Sequence, residues 1–234
     1  MVDYILSIDL GQATDPAAAA VLHRCWWRPG ERPIPETAKL WHEVPLLHTW
    51  PLGTPYPQIV DDISQQYAYL WREHQQMGVR LIVDQGGPGR PVIDELRRKQ
   101  LPDGSRMRPM GITLTGGESP RLREEQDGTQ SLTVPKRDIC SALVVAMHSG
   151  DVKVAPELGL TAEYEKQLGA FGYRINRDTG TQTYESQQAQ VHDDLVVAVA
   201  MGLWYSTLVL SRRFPGISRE PDISPRYDPL ARRA

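Results

Sequence analysis

The chain opens on a short apolar run, Tyr4, Ile5, Leu6 and Ile8, which ends in one acid, Asp9, and is cut off by a breaker cluster from Gly11 to Pro16. A run of this kind between turn residues predicts a largely buried strand. Ala17 to Leu22 follows at hairpin distance, and Lys39 to Val44 alternates enough to be a third strand beyond a loop from Arg28 to Pro35. Short connections between three successive strands favour an antiparallel meander. After a Pro-rich link from Pro51 to Pro57 the period changes. Ile59, Ile63, Tyr67, Leu70 and Trp71 recur at helical spacing until Gly78 supplies the stop. Val79 to Asp84 then repeats the opening arrangement, an apolar strand ending in an acid beside a Gly-rich turn.

Further on, a helix is predicted from Pro91 through Ile93, Leu96 and Lys99, and a strand from Met107 to Leu114. Thr115 to Ser131 is polar and Gly-rich and reads as a long surface loop. Pro135 opens a helix that Gly150 closes, and Val152 to Ala155 can add a short edge strand. Thr161 is a candidate N-cap for a helix through Leu168, with Glu163 and Glu165 in its first turn. Tyr173 to Tyr184, centred on Asp178, Thr179 and Gly180, reads as a hairpin. The closing helix spans His192 to Leu210. Its apolar part, Leu195 to Leu210, falls short of the roughly 20 residues a membrane span needs, and His192, Asp193 and Asp194 precede it, so a buried core helix is expected. Met147, Met201 and Trp204 sit at core spacing. The expected organisation is one domain over 1–211 and a Pro- and Arg-rich tail over 212–234, with no internal repeat.

Composition narrows the classes. The 234 residues suffice for one sizeable core, and a net charge of −3 means that any nucleic-acid binding must come from local basic patches. Cys25 and Cys140 are too few and too far apart in sequence to read as a disulfide framework or a zinc site. A reduced, cytoplasmic location is the default, with no secretory signal visible and no membrane partner expected.

Three acidic positions stand out: Asp9 and Asp84 at strand ends, and the pair Asp193 and Asp194 at the start of the last helix. Each has a structural reading. Asp9 and Asp84 could accept hydrogen bonds from the turns that follow them, and the helix acids could answer the macrodipole. If the two strands are neighbours and the closing helix packs across them, the acids converge, and a divalent cation would relieve their repulsion. Oxygen ligands select Mg²⁺ or Mn²⁺ over zinc, and a pair of such ions is the standard apparatus for phosphodiester hydrolysis. His192 reads as a capping or packing residue rather than a ligand, and Asp15, before Pro16, as a turn former with a supporting role behind the metal ligands as the lesser alternative.

The segments IDLGQATDPAAAAVL, LIVDQGGPGRPVIDEL, VPKRDICSALVVAMHSGDVKV and VHDDLVVAVAMGLW resemble the successive motifs of the nuclease domain of phage terminase large subunits. The resemblance runs from about Tyr4 to Trp204, and HDD before a small-residue apolar helix is its most specific piece. It implies an RNase H-like α/β fold, a mixed central sheet of three antiparallel and then parallel strands flanked by helices. It also implies an endonuclease that cuts phage DNA during packaging with two Mg²⁺ or Mn²⁺ ions. By position Asp9, Asp84, Asp193 and Asp194 would be the metal ligands and catalytic acids. The family often has a further acid three residues after the second Asp, where Val197 stands here, so the principal ligand of the pair is left open, with Asp194 favoured. Lys136 falls in the family's VPK motif and joins Arg90, Arg121, Arg123 and Arg137 as candidate DNA contacts. Double-stranded DNA is the expected substrate, with a separate packaging ATPase, a small terminase subunit or a portal as partners. No G-x-x-x-x-G-K-[ST] loop occurs, so a motor would have to be supplied elsewhere. The rival readings are a Holliday-junction resolvase-like nuclease and, more remotely, an actin-like or sugar-kinase ATPase, whose first strand also ends in Asp-x-Gly.

Overall fold

The computed structural model describes residues 4–11, 15–26, 39–74, 78–87, 89–117, 119–124, 129–175, 182–186 and 191–210, with backbone alone over 173–175 and 182–186. β1 (Tyr4–Asp9), β2 (Ala17–Cys25) and β3 (Trp41–Trp50) form the antiparallel meander that the opening pattern predicts. The chain then crosses through α1 (Tyr56–Glu73) and returns as β4 (Val79–Asp84), parallel to β1 with Ile8 beside Val83. α2 (Gly89–Arg98) leads into β5 (Met110–Thr115), parallel to β4. β6 (Arg121–Glu124) and β7 (Gln130–Pro135) make a hairpin whose second strand runs parallel to β5. After α3 (Lys136–His148), the short β8 (Val152–Val154) pairs with β3. α4 (Thr161–Ala170) precedes a separate hairpin, β9 (Phe171–Ile175) and β10 (Gln182–Ser186). α5 (Asp194–Trp204) closes the order and continues as a π-helical stretch, Tyr205–Leu210. Among the described residues the main sheet has eight strands in the order β6-β7-β5-β4-β1-β2-β3-β8, the mixed sheet flanked by helices that the motifs imply.

The period of two along each strand assigns its residues to two cores. Ile5, Ala18, Ala20, Leu22, Ile82 and Ile112 pack with α3 and α5 on one face. Leu6, Ile8, Ala19, Val21, Leu81 and Val83 pack with α1 and α2 on the other. α5 is buried along its whole length, because the sheet covers one side and α3 and α4 the other. Its all-round apolar sequence is what such a position requires. None of the described helices is long and apolar enough to cross a membrane.

Several expectations need correction. The predicted loop from Thr115 to Ser131 contains β6 and runs into β7, a strand of the main sheet. β3 does not stop at Val44 but continues through Pro45 to Trp50, because a bulge sets Val44 and Pro45 opposite Leu22 and takes the proline out of the hydrogen-bonded ladder. Thr161 is not the N-cap of α4: Leu160 holds that place, and the Thr161 hydroxyl donates to the Ala155 carbonyl at 2.8 Å. Met147 is 43% exposed on α3 rather than core, whereas Met201 and Trp204 are fully buried. The loop from Arg28 to Pro35, the turn of the β9–β10 hairpin and the tail over 212–234 lie outside the described residues.

Candidate active site

β1 and β4 are adjacent and parallel, so their carboxyl ends share one edge of the sheet, and each ends in an aspartate. Counting by twos from Ile5 and from Ile82, both of which face α5, puts Asp9 and Asp84 on the α5 face as well. The N-terminus of α5 arrives at the same place. Asp194 is its first residue and is 5% exposed. No side chain caps α5 from the usual N-cap position. Instead the buried Gln167 of α4 accepts the Leu195 N–H at 3.0 Å. Gly89 allows the approach of α2 to the end of β4, since a Cβ there would collide with the Asp84 carbonyl.

The charges act on one another. Burial raises the Asp9 pKa well above the ordinary carboxylate value, and the negative charges of Asp84, Asp194 and Asp193 raise it further while Lys136 opposes them. Asp84 is also raised, by burial, against the Gly86 N–H bond and the Lys136 charge. That Gly86 N–H donates to Asp84 Oδ1 at 2.8 Å, so Asp84 does shape the following turn, through one of its two oxygens. Asp194 is pushed up to about 7, chiefly by burial and then by Asp193 and Asp15, with His192 acting the other way. Its Oδ2 is buried and, among the described residues, meets no hydrogen-bond donor. Such an orphaned oxygen is costly and calls for a partner. Among the described residues, no three of these aspartates offer carboxylate oxygens that all lie within 4.8 Å of one another.

Asp193 and Asp194 differ in their surroundings. Lys136, at the start of α3, donates from Nζ to Asp193 Oδ2 at 3.0 Å. Burial alone would lower the Lys136 pKa, but Asp193 and Asp9 hold it raised. The family-motif lysine, read as a DNA contact, therefore sits inside the acidic cluster. His192 is neither a cap nor a packing residue: it is exposed and pairs with Asp15, Nδ1 to Oδ1 at 3.3 Å. The sequence offered Asp15 a supporting role only as the lesser alternative and did not pair it with His192, since only the return of α5 to the turn after β1 brings the two together. The arginines are less concentrated. Arg90 is exposed at the start of α2, and Arg137 is exposed and pairs with Asp138 at 3.5 Å. Arg121 and Arg123 are exposed on β6, the outermost strand, three strands from β4 and so about 14 Å away across the sheet.

No protein-family profile and no curated protein matches the sequence. Solved structures do match. The human cytomegalovirus terminase nuclease domain, soaked with Mn, aligns over 91% of this chain and 88% of its own at a TM-score of 0.55 and 13% identity. The chain has the RNase H-like fold of a terminase nuclease domain. The large terminase nuclease of the thermophilic phage G20c is also similar, with a TM-score of 0.49, 18% identity, and coverage of 88% of this chain and 82% of that one. So is the large terminase nuclease domain of bacteriophage SPP1, with a TM-score of 0.46, 12% identity, and coverage of 87% and 85%. In a terminase-nuclease fold of this topology, β1 is the strand at which the sheet changes from parallel to antiparallel pairing. Ligands of α/β sheets bind beyond the carboxyl ends of parallel strands, which here is the edge that carries Asp9 and Asp84.

Proposed function

We propose that the chain is a divalent-metal-dependent DNA endonuclease in which Asp9, Asp84 and Asp194 hold the metal and Asp193 supports them. The observation that carries this reading is the convergence of three carboxylates, one with a buried oxygen that no described donor meets, at the ends of adjacent parallel strands and of the central helix. A donor set of oxygens short of positive charge fits a hard cation, Mg²⁺ or Mn²⁺. The Mn soak of the cytomegalovirus terminase nuclease domain supports the same choice. When bound, a pair of such ions supplies an activated water and stabilises the leaving oxygen of a phosphodiester.

The protein's own share is positional. Asp9 and Asp84 are fixed by paired strands, and the Gly86 N–H bond to Oδ1 orients the Asp84 carboxylate, leaving Oδ2 to bind. Lys136 holds Asp193, which leaves Asp194 as the acid of the pair that ligates. Asp194 shares its proton with solvent near neutral pH and gives it up on ligation. The Lys136 ammonium, beside the acids, is placed to meet a phosphate oxygen as well as Asp193. Arg90, Arg121, Arg123 and Arg137 bind the backbone of double-stranded DNA further out. The biological setting we propose is cutting of phage DNA during packaging, with a separate ATPase motor, a small terminase subunit or a portal as partners.

The test is nicking and linearisation of a supercoiled plasmid with Mn²⁺ or Mg²⁺, comparing wild type with Asp84→Asn, which keeps the turn acceptor and removes the charge. The variant is expected to lose at least about a hundredfold in rate, beyond the 10–100-fold typical of losing a supporting residue. Equal cutting by both, or none by wild type with either ion, would overturn the assignment.

A further inference from the structure

A second group of ligating atoms lies at the diagonally opposite corner of the sheet. Among the described residues, His23, Cys25 and Glu43 offer one atom each, all within 4.8 Å of one another. His23 and Cys25 are two apart on β2 and share a face, and His23 stands directly across from Glu43 on β3, next to the bulge at Val44 and Pro45. Cys25 Sγ is 3.3 Å from His23 Nδ1, and the same Nδ1 is 3.8 Å from Glu43 Oε2. Around a tetrahedral ion with Zn–S near 2.3 Å and Zn–N and Zn–O near 2.0–2.2 Å, ligand atoms stand about 3.4–3.6 Å apart. The observed separations bracket that value, so small side-chain rotations would complete the site. Tyr4 stacks on the His23 ring at 4.4 Å and 3°, and His74 stacks on Tyr4 at 4.1 Å, which holds the imidazole in its orientation. The His23 and Glu43 side chains are 27% and 47% exposed, open enough for an ion to enter.

We propose that His23, Cys25 and Glu43 form a binding site for a borderline-soft divalent cation of the zinc class, distinct from the aspartate cluster. The two sites differ in place and in chemistry. Tyr4 pairs with His23 at one end of β1 and Asp9 with Ala18 at the other, about 16 Å apart along the strand. The alternation of the strands also puts the triad on the α1 face and the acids on the α5 face. One cluster is all oxygen, and the other mixes thiolate, imidazole and carboxylate, the donor set that selects zinc over magnesium. Without a metal the Cys25 thiol donates to the His23 carbonyl at 3.7 Å. On binding it releases its proton to solvent and ligates as thiolate. The three protein ligands leave a fourth tetrahedral position for water or another donor, and the bound ion ties β2 to β3 beyond the bulge.

Cobalt(II) is the probe, because sulfur ligation produces a near-ultraviolet charge-transfer band that oxygen ligands cannot. One equivalent of Co²⁺ added to the full chain is expected to give this band in wild type and in Asp194→Asn, and not in Cys25→Ser. Absence of the band in wild type, or its persistence in Cys25→Ser, which would assign the sulfur to the buried Cys140, overturns the proposal. A second measurement needs no cysteine variant. Stoichiometric Zn²⁺ is expected to slow iodoacetamide alkylation of Cys25, mapped by mass spectrometry, by about tenfold or more, since the thiolate is both nucleophile and ligand. His23→Gln should abolish that protection. An unchanged wild-type rate counts against the site.

Discussion

A carboxyl group that titrates near 7 in the folded chain and near 3.8 when unfolded binds its proton more tightly in the native state, which is the position of Asp194. Below about pH 4 both states are protonated. Between there and about pH 7 the unfolded chain ionises first, so the stability this group contributes falls as pH rises, and above 7 the loss is complete. The loss is on the order of a few kcal/mol. Asp9 and Asp84, both raised, act in the same direction. His42 acts in the opposite one: burial lowers it to about 4, so below about pH 6.5 the unfolded chain takes up a proton that the folded chain refuses, and stability falls on the acid side. Comparing two proteins at each pH isolates Asp194 from His42. With chelator present, Asp194→Asn is expected to be more stable than wild type by about 1–3 kcal/mol at pH 8, because it removes an unpaired buried charge. At pH 5, where Asp194 carries its own proton, that advantage should vanish. Urea denaturation at the two pH values measures it, and an advantage independent of pH would deny that Asp194 is the titrating group. The same substitution should abolish plasmid cutting, so stability and activity would move in opposite directions.

At the scale of elements, the approach of α5 to the sheet depends on small residues. A Cβ on Gly202 would run into the Leu22 side chain, which is fully buried in β2. Gly202→Ala is therefore expected to cost about 1–3 kcal/mol by overpacking. The cost should shrink in a Leu22→Ala background, with a coupling of roughly 0.5–3 kcal/mol in a double-mutant cycle; simple additivity would mean that the helix is seated differently. Past α5, the buried Arg24 Nε donates to Ser206 Oγ at 2.8 Å, and His42 Nε2 lies 2.7 Å from the same hydroxyl, pinning the π-helical stretch to β2 and β3. Long, periodic elements such as α1, α3 and α5 were open to reading in the sequence, and so were the two strands that end in an acid. β6 and β7 were not. β6 reads Arg-Leu-Arg-Glu, the polar face of an edge strand, which composition cannot tell from a loop. β7 is six residues long and was masked by the Gly-rich run before it. At β3 the alternation was legible only to Val44, and the bulge that carries the strand past Pro45 to Trp50 depends on its pairing with β2.

For the molecule as a whole, the proposed ion at the acid cluster would become part of the stability balance. Millimolar Mn²⁺ is expected to raise the melting temperature at pH 8 through preferential binding to the native state. The rise should be smaller at pH 6, where the ion competes with the proton on Asp194. A shift equal at both pH values, or retained in Asp84→Asn, would place the ion elsewhere, the His23–Cys25–Glu43 corner being the first alternative. The aspartates could be picked out from sequence because strand ends and a helix start are local patterns. What could not be picked out depends on strand order and on which face each side chain takes. Lys136 donating to Asp193, Gln167 serving as the cap of α5, and His192 meeting Asp15 are all contacts between elements distant along the chain.

The route of the chain through the sheet also bears on its synthesis. Asp9 is made before Asp84 and Asp84 before Asp194, and the three sit on an interior strand, on the strand after the α1 crossover, and on α5. A growing chain thus exposes two acids of the cluster on a half-covered sheet while α5 is still inside the exit tunnel. Until α5 docks on the sheet the carboxylate cluster lacks its third member, so the proposed ion site is completed only by an element far along the chain from β1.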